Sequence, residues 1–251
     1  MTLAPNLTEI VFALGAEDRL LAVSDFSDYP PAARRLPRAG GLDASAERIV
    51  SLRPDLVLAS RDGNARGSVQ AIEAAGVPVL TVSGESLDAV LGGIRAVGQR
   101  LGRSAEGKRL ADSLAARRAR VRRELSGKTS PAAILLVWPD PPQAAGGGTF
   151  LSDVLVEAGA RNMLEERRGW PLVSAEFLAT APIDVIVWPD SAETRPVYER
   201  ARLSGPLSRG SAARARIVRV DEASLTRPGP RVFDALEALA AQLHSVDGSP
   251  P

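Results

Sequence analysis

Apolar positions Leu87, Val90, Leu91, Ile94, Val97 and Leu101 recur three and four residues apart, the spacing of one buried helix face. Leu110, Leu114, Val121 and Leu125 continue the pattern, with Arg117, Arg118, Arg120, Arg122 and Arg123 set around them. Gly102-Arg103-Ser104 interrupts it, so the stretch reads either as one rod or as two helices end to end. At helical rise the second piece alone spans about 30 Å, the width of a small domain.

The segments on either side of this helical stretch resemble each other. Ser45-Ala46-Glu47 opens a short helix, then Pro54-Asp55 leads into an apolar strand; Ser174-Ala175-Glu176 opens another, then Pro182 and Asp184 lead into a second strand. The Glu-to-Asp spacing is the same in both. A second echo, in the same order, pairs Ala13-Leu14-Gly15-Ala16 with Glu157-Ala158-Gly159-Ala160, each a helix end with a glycine cap. Two echoes in order predict two related lobes.

Taken in order, the first lobe predicts a helix from Thr8 to Leu14 capped by Thr8, and strands at Leu20–Val23, Asp55–Ala59 and Val77–Val82. Helices are expected at 46–52 and 68–75. The second lobe predicts strands at Ala132–Trp138, Asp184–Val187 and Ala213–Val220, with helices at Phe150–Ala158, Ser174–Thr180, Arg195–Leu203 and Arg231–His244. Pro139–Gly148, Leu164–Leu172 and Leu225–Pro230 read as loops. Alternating strand and helix is the pattern of an α/β fold with mostly parallel sheets. The resulting division is an N-terminal α/β lobe at 1–84, a linking helix region at 85–127, a C-terminal α/β lobe at 128–245 and a disordered tail at 246–251.

Composition narrows the chemistry. The chain has 251 residues, 45% hydrophobic, with a formal charge of +1, no cysteine and a single histidine, His244. Thiolate chemistry is excluded, and a zinc site or a Ser-His-Asp triad has almost nothing to draw on. The balanced charge gives no general pull toward nucleic acid, and the Arg117–Arg123 cluster, without interleaved aromatics, reads as a solvated helix face. Gly146-Gly147-Gly148 lacks the Lys and Ser/Thr that would make it a phosphate loop, and reads as a flexible connection. No run of apolar residues is long enough for a membrane span. Thr2-Leu3-Ala4 reads as the end of a strand, so either that strand is short or the chain continues before Met1.

Ligands of open α/β sheets bind beyond the carboxyl ends of the strands. The loops there hold Phe26, Tyr29 and Trp170, conspicuous in a chain that is only 4% aromatic. They read either as flat apolar contacts for a large ligand or as caps over the core, with Tyr29, before Pro30-Pro31, the most plug-like. Glu47 and Glu176, at helix starts, complement the helix dipole if they do nothing else.

With these residues in place, the chain resembles the substrate-binding proteins of ABC importers, in particular the vitamin B12 (cobalamin) binding proteins. The matching stretches are Leu3–Glu9, Ser24–Pro31, Glu47–Asn64, Trp170–Glu176 and Arg227–Arg231, in order along nearly the whole chain. The resemblance implies two Rossmann-like lobes joined by a single long α-helix, with the ligand in the cleft between them. It implies a binding protein rather than an enzyme, with neither catalytic residues nor a metal held by the protein. Its ligand is a cobalamin or related corrinoid that carries its own cobalt, so no cofactor is expected.

Position by position, the resemblance puts Phe26 against the corrin ring, Asn6 at the cleft floor, Trp170 facing the ring from the second lobe, and Arg227 on ligand amides or phosphate. Ser60, Arg61 and Gln143 complete the expected ligand set. Glu47 and Glu176, one per lobe, would dock on a membrane permease dimer, and no nucleic acid partner is implied. The implied location is periplasmic, or extracellular with a lipid anchor, the leader being absent from this sequence. The chain departs from the cobalamin pattern in three places. Gly41 and Ser60 are small where Trp is usual, Gln143 replaces an aromatic, and the acidic partner of Arg227 falls on Asp221 or Glu222 without a clean match. Haem and iron-siderophores therefore remain alternative ligands, and the rival from another class is a cytosolic α/β enzyme.

Overall fold

In the computed structural model, which describes residues 1–41 and 44–245, the chain forms two units with separate cores. The first comprises Met1–Ala115 with Arg227–Pro230, the second Ala116–Thr226 with Arg231–Pro251. The tail expected at 246–251 lies outside the described residues.

The first unit contains α1 (Pro5–Ala13), α2 (Ala46–Ser51), β1 (Val57–Ser60), α3 (Arg66–Ala74), β2 (Val79–Val82), α4 (Leu87–Arg100) and the first half of α5 (Ser104–Glu124). β1 and β2 pair in parallel with Val57 opposite Val79. Ile49, Val57, Ala59 and Ile72 bury themselves together beneath them. The helix expected from Thr8 begins instead at Pro5, whose fixed φ suits a first helical position. Thr8 lies inside α1, fully buried, where its hydroxyl bonds Thr2 and Ser27. The strand expected at Leu20–Val23 is reduced to a single bridge between Val23 and Arg38.

The region from 85 to 127 is two helices, not one rod. α4 buries Leu87, Val90, Leu91, Ile94 and Val97, the predicted stripe. It ends at a left-handed Gly102 (φ 66°). α5 then folds against α4 through glycines: a Cβ on Gly98 would lie 3.0 Å from the Gly107 Cα. α4 belongs wholly to the first unit, and the boundary between units falls inside α5.

The second unit holds the rest of α5, then β3 (Ala132–Pro139), β4 (Pro142–Ala144), α6 (Phe150–Glu157), β5 (Arg161–Asn162), α7 (Ala175–Thr180), β6 (Val185–Asp190), α8 (Arg195–Ser204), α9 (Gly210–Arg214), β7 (Arg216–Asp221), α10 (Glu222–Thr226) and α11 (Val232–Leu243). Its sheet runs β4-β3-β6-β7, with β5 also on β3. All pairings are parallel except the one to β4. Antiparallel β4 was not foreseen, because Pro141-Pro142 and the following glycines read as loop. Trp188 and Tyr198 stack in the core with ring centroids 4.7 Å apart, and the Tyr198 hydroxyl donates to the Leu136 carbonyl.

The arginines of α5 are a solvated face only in part: Arg120, Arg122 and Arg123 are exposed, whereas Arg117 is half-buried and Arg118 buried. Arg118, only 8% exposed, sits in the buried stripe with Leu114 and Val121 and bonds Glu157 at the end of α6. Arg122 joins the same carboxylate, and Arg117 and Arg120 bond Glu237 on α11. Burial pushes the Glu157 carboxyl up, but the bonds from Arg122 and Arg118 outweigh it and hold the group below its ordinary range. These charges fasten the helix to its own unit, which accounts for them without nucleic acid.

Candidate ligand-binding surfaces

In the first unit the exposed aromatics stand on the loop after Val23. Phe26 is 53% exposed and Tyr29 45%. The loop beneath them is held from inside by a chain of buried hydroxyls. Thr2 bonds Thr8 at 2.7 Å, Thr8 bonds Ser27 at 2.8 Å, and Ser27 bonds Ser24 at 2.9 Å. Arg38 donates to the carbonyls of Ser24 and Ser27. A loop so tied can hold an aromatic ring in water without collapsing onto the core.

Beside it comes the segment 227–230. Arg227 forms a short ion pair with Asp28 and lies 3.5 Å from Glu9, whose side chain is only 3% exposed. The acidic partners of Arg227 are thus Asp28 and Glu9. Asp221 instead caps the Ser224 amide, and Glu222 accepts from Thr194. The hydrogen bond from Arg227 holds the Asp28 carboxyl below the ordinary carboxylate range. Asn6, expected at a cleft floor, is 6% exposed, and its amide donates to the Pro228 carbonyl at 3.1 Å. It anchors the segment that carries Arg227.

Ser60 ends β1 and is 4% exposed. Its amide donates to Asn64 and its hydroxyl accepts from the Gly63 amide, so it shapes the turn. The next residue, Arg61, is exposed, with its amide bonded to the Val82 carbonyl. Asp62 then accepts the Gly84 amide at 2.7 Å.

In the second unit, Trp170 is 47% exposed and its carbonyl accepts from the Gln143 side-chain amide at 3.1 Å. Gln143 lies on β4, opposite Trp138 of β3 on one side and Leu172 on the other. Trp138 is 43% exposed and Leu172 63%. Neither was singled out from the sequence, Trp138 because it ends an apolar strand. Gly146-Gly147-Gly148 is not a free connection: a Cβ on Gly146 would fall 1.8 Å from the Arg167 carbonyl, and one on Gly147 would fall 2.0 Å from that of Glu165. The glycines let two backbones meet, pinning the Trp170 loop.

Glu47 and Glu176 are both exposed in the first turn of six-residue helices, α2 and α7, whose N-caps are Ser45 and Ser174. Ser45 accepts from the Arg48 amide and donates to Glu47, and Ser174 accepts from the Phe177 amide. The echo seen in the sequence is thus an echo in structure.

Two α/β units each carry exposed aromatic and charged groups on loops. Residues 1–223 match the periplasmic binding protein family, and the chain belongs to that family, the solute-binding components of ABC importers. Its members bind solutes and are not enzymes. Among similar proteins, an ABC transporter substrate-binding lipoprotein of Bacillus subtilis is 27% identical, covering 97% of this chain and 79% of its own. A vitamin B12-binding protein of Photorhabdus laumondii is 28% identical, covering 97% and 87%. The apo structure of a periplasmic haem-binding protein from Roseiflexus superposes with a TM-score of 0.86 at 30% identity, covering 97% and 96%. Among the described residues no helix is long and apolar enough to cross a membrane.

Proposed function

We propose that this protein captures a planar macrocycle, a cobalamin or related corrinoid first, and delivers it to an ABC-importer permease outside the cytoplasmic membrane. The observation that carries the reading is the exposure of Phe26 and Trp170, one on each unit, on loops fastened from below. An aromatic ring left in water on a fixed backbone is suited to stack on a flat ligand face at little ordering cost. Arg227, held by Asp28 and Glu9, supplies the polar group that would bond ligand amides or phosphate, with Arg61 and Gln143 as further contacts. Asn6 and Ser60 act beneath the surface, on the backbone that positions Arg227 and Arg61. A corrinoid brings its own cobalt, so the protein need hold no metal.

Cyanocobalamin titrated into the protein by calorimetry tests this. Binding that Trp170→Ala weakens at least tenfold supports it; an unchanged affinity removes Trp170 from the site. Haem is the second reading, favoured by the Roseiflexus relative and by the exposed Tyr29 phenol, a group that can ligate ferric iron. On that reading Tyr29→Phe weakens haemin binding and leaves cyanocobalamin alone.

For docking, Glu47 and Glu176 offer one exposed carboxylate per unit from matching helix starts. Exposed ion pairs of this kind add little affinity each but set register and speed encounter. Reversing both to Lys should abolish association with the permease in detergent, and intact association would reassign the docking surface.

A further inference from the structure

We infer that Trp138, with Leu172, forms an apolar wall that stacks on the ligand where the sequence places Gln143, so that the binding surface of the second unit selects a planar macrocycle over a polar iron chelate. The inference rests on the macrocycle reading above and adds residues that the reading does not contain.

Strand register carries it. Leu136 pairs with Ala144, and the next pair is Trp138 with Gln143, two residues advanced on β3 against one on β4. Val137 is therefore the extra residue of a bulge. In an unbroken strand Trp138 would share a face with Leu136, which is fully buried. The bulge turns Trp138 to the other face, where it is 43% exposed. Residues directly opposite on paired strands project to the same side. Trp138 on β3, Gln143 on β4 and Leu172, which makes an isolated bridge to Gln143, accordingly share one outward face.

The chemistry of that face is apolar at both ends and polar only at Gln143, whose amide is engaged by the Trp170 carbonyl. The Trp138 indole N–H donates to the Asp140 carbonyl at 2.8 Å, which fixes the ring and uses its one polar atom internally. What remains to meet a ligand is the π-face. Exposed Trp and Leu side chains flanking Gln143 on a pinned backbone mark a surface that gains by being covered. The conjugated face of a porphyrin or corrin can cover it while the polar substituents stay at the ring edge, whereas a ferric hydroxamate chelate has no such face and would turn polar oxygens and amides toward indole and methyl groups. Bulging also explains how an aromatic can serve here although Gln143 stands where one was expected: the ring comes from the neighbouring strand.

The test is titration of the intact protein with cyanocobalamin, haemin and ferric desferrioxamine. For whichever macrocycle the wild type binds, Trp138→Ala should weaken binding about tenfold or more, Leu172→Ala about threefold, and Trp138→Phe no more than about threefold. Thermal unfolding of Trp138→Ala should match the wild type, separating lost contact from lost fold. Wild-type binding that Trp138→Ala leaves unchanged overturns the wall and spares the macrocycle reading. Tighter binding of the ferric chelate than of either macrocycle, or no macrocycle binding at all, overturns both.

Discussion

The two candidate surfaces are built on different plans. In the first unit, Phe26 and Arg227 are placed by side chains: a run of buried hydroxyls under the loop and a cation between two carboxylates. In the second, Trp138 and Trp170 are placed by backbone: strand register, a bulge, and glycines that let two chains touch. Stability at the first surface thus depends on charge state, and at the second on the room around a Cα. A polar side-chain frame can be retuned by single substitutions, while a backbone frame tolerates almost none at its contact points.

Gly146→Ala should sharpen this contrast most. Its Cβ would meet a carbonyl oxygen at 1.8 Å, so the loop must shift, at about 3 kcal/mol or more by denaturant unfolding, with macrocycle affinity falling too. A fully stable alanine variant would show that the second surface does not rely on backbone contact. Next comes Arg227→Ala, which removes the cation beside buried Glu9. About 2 kcal/mol of stability should be lost, measured the same way, since the guanidinium is mostly buried while Asp28 is half in water.

The pH dependence follows with a smaller amplitude. Asp28 has a depressed native pKa, so its contribution is complete above the ordinary unfolded value and is lost as pH falls through the native one. Asp28→Asn should therefore be less stable than wild type near neutrality by under about 1 kcal/mol, and the two should converge in strong acid. Smallest of all, Phe26→Ser should change stability by no more than about 0.5 kcal/mol, because the ring is half exposed, while weakening ligand binding. A large stability loss there would make Phe26 a core cap.

Elements with local signals were legible in the sequence. The α4 stripe and the two Ser-capped helices carrying Glu47 and Glu176 follow from spacing and cap chemistry alone. Contacts distant along the chain were not. Nothing near Arg227 marks Asp28 or Glu9 as its partners, nearly two hundred or more residues away. Nor does anything around Asn6 show that its amide is tied to Pro228. Burial of Arg118 and half-burial of Arg117 left no mark in the sequence because their carboxylates lie on other helices. Trp138 passes unnoticed as the end of an apolar strand, and the one-residue bulge that sets it opposite Gln143 leaves no mark in the sequence.

That inserted Val137 makes the outward side of β3 a matter of phase. Drawing it into the ladder opposite Gln143 would shift the residues beyond by one notch and turn the indole toward the interior, whereas deleting it would leave Trp138 directly after Leu136 and still opposite Gln143. The side on which the ring stands thus rests on which residue the ladder leaves out.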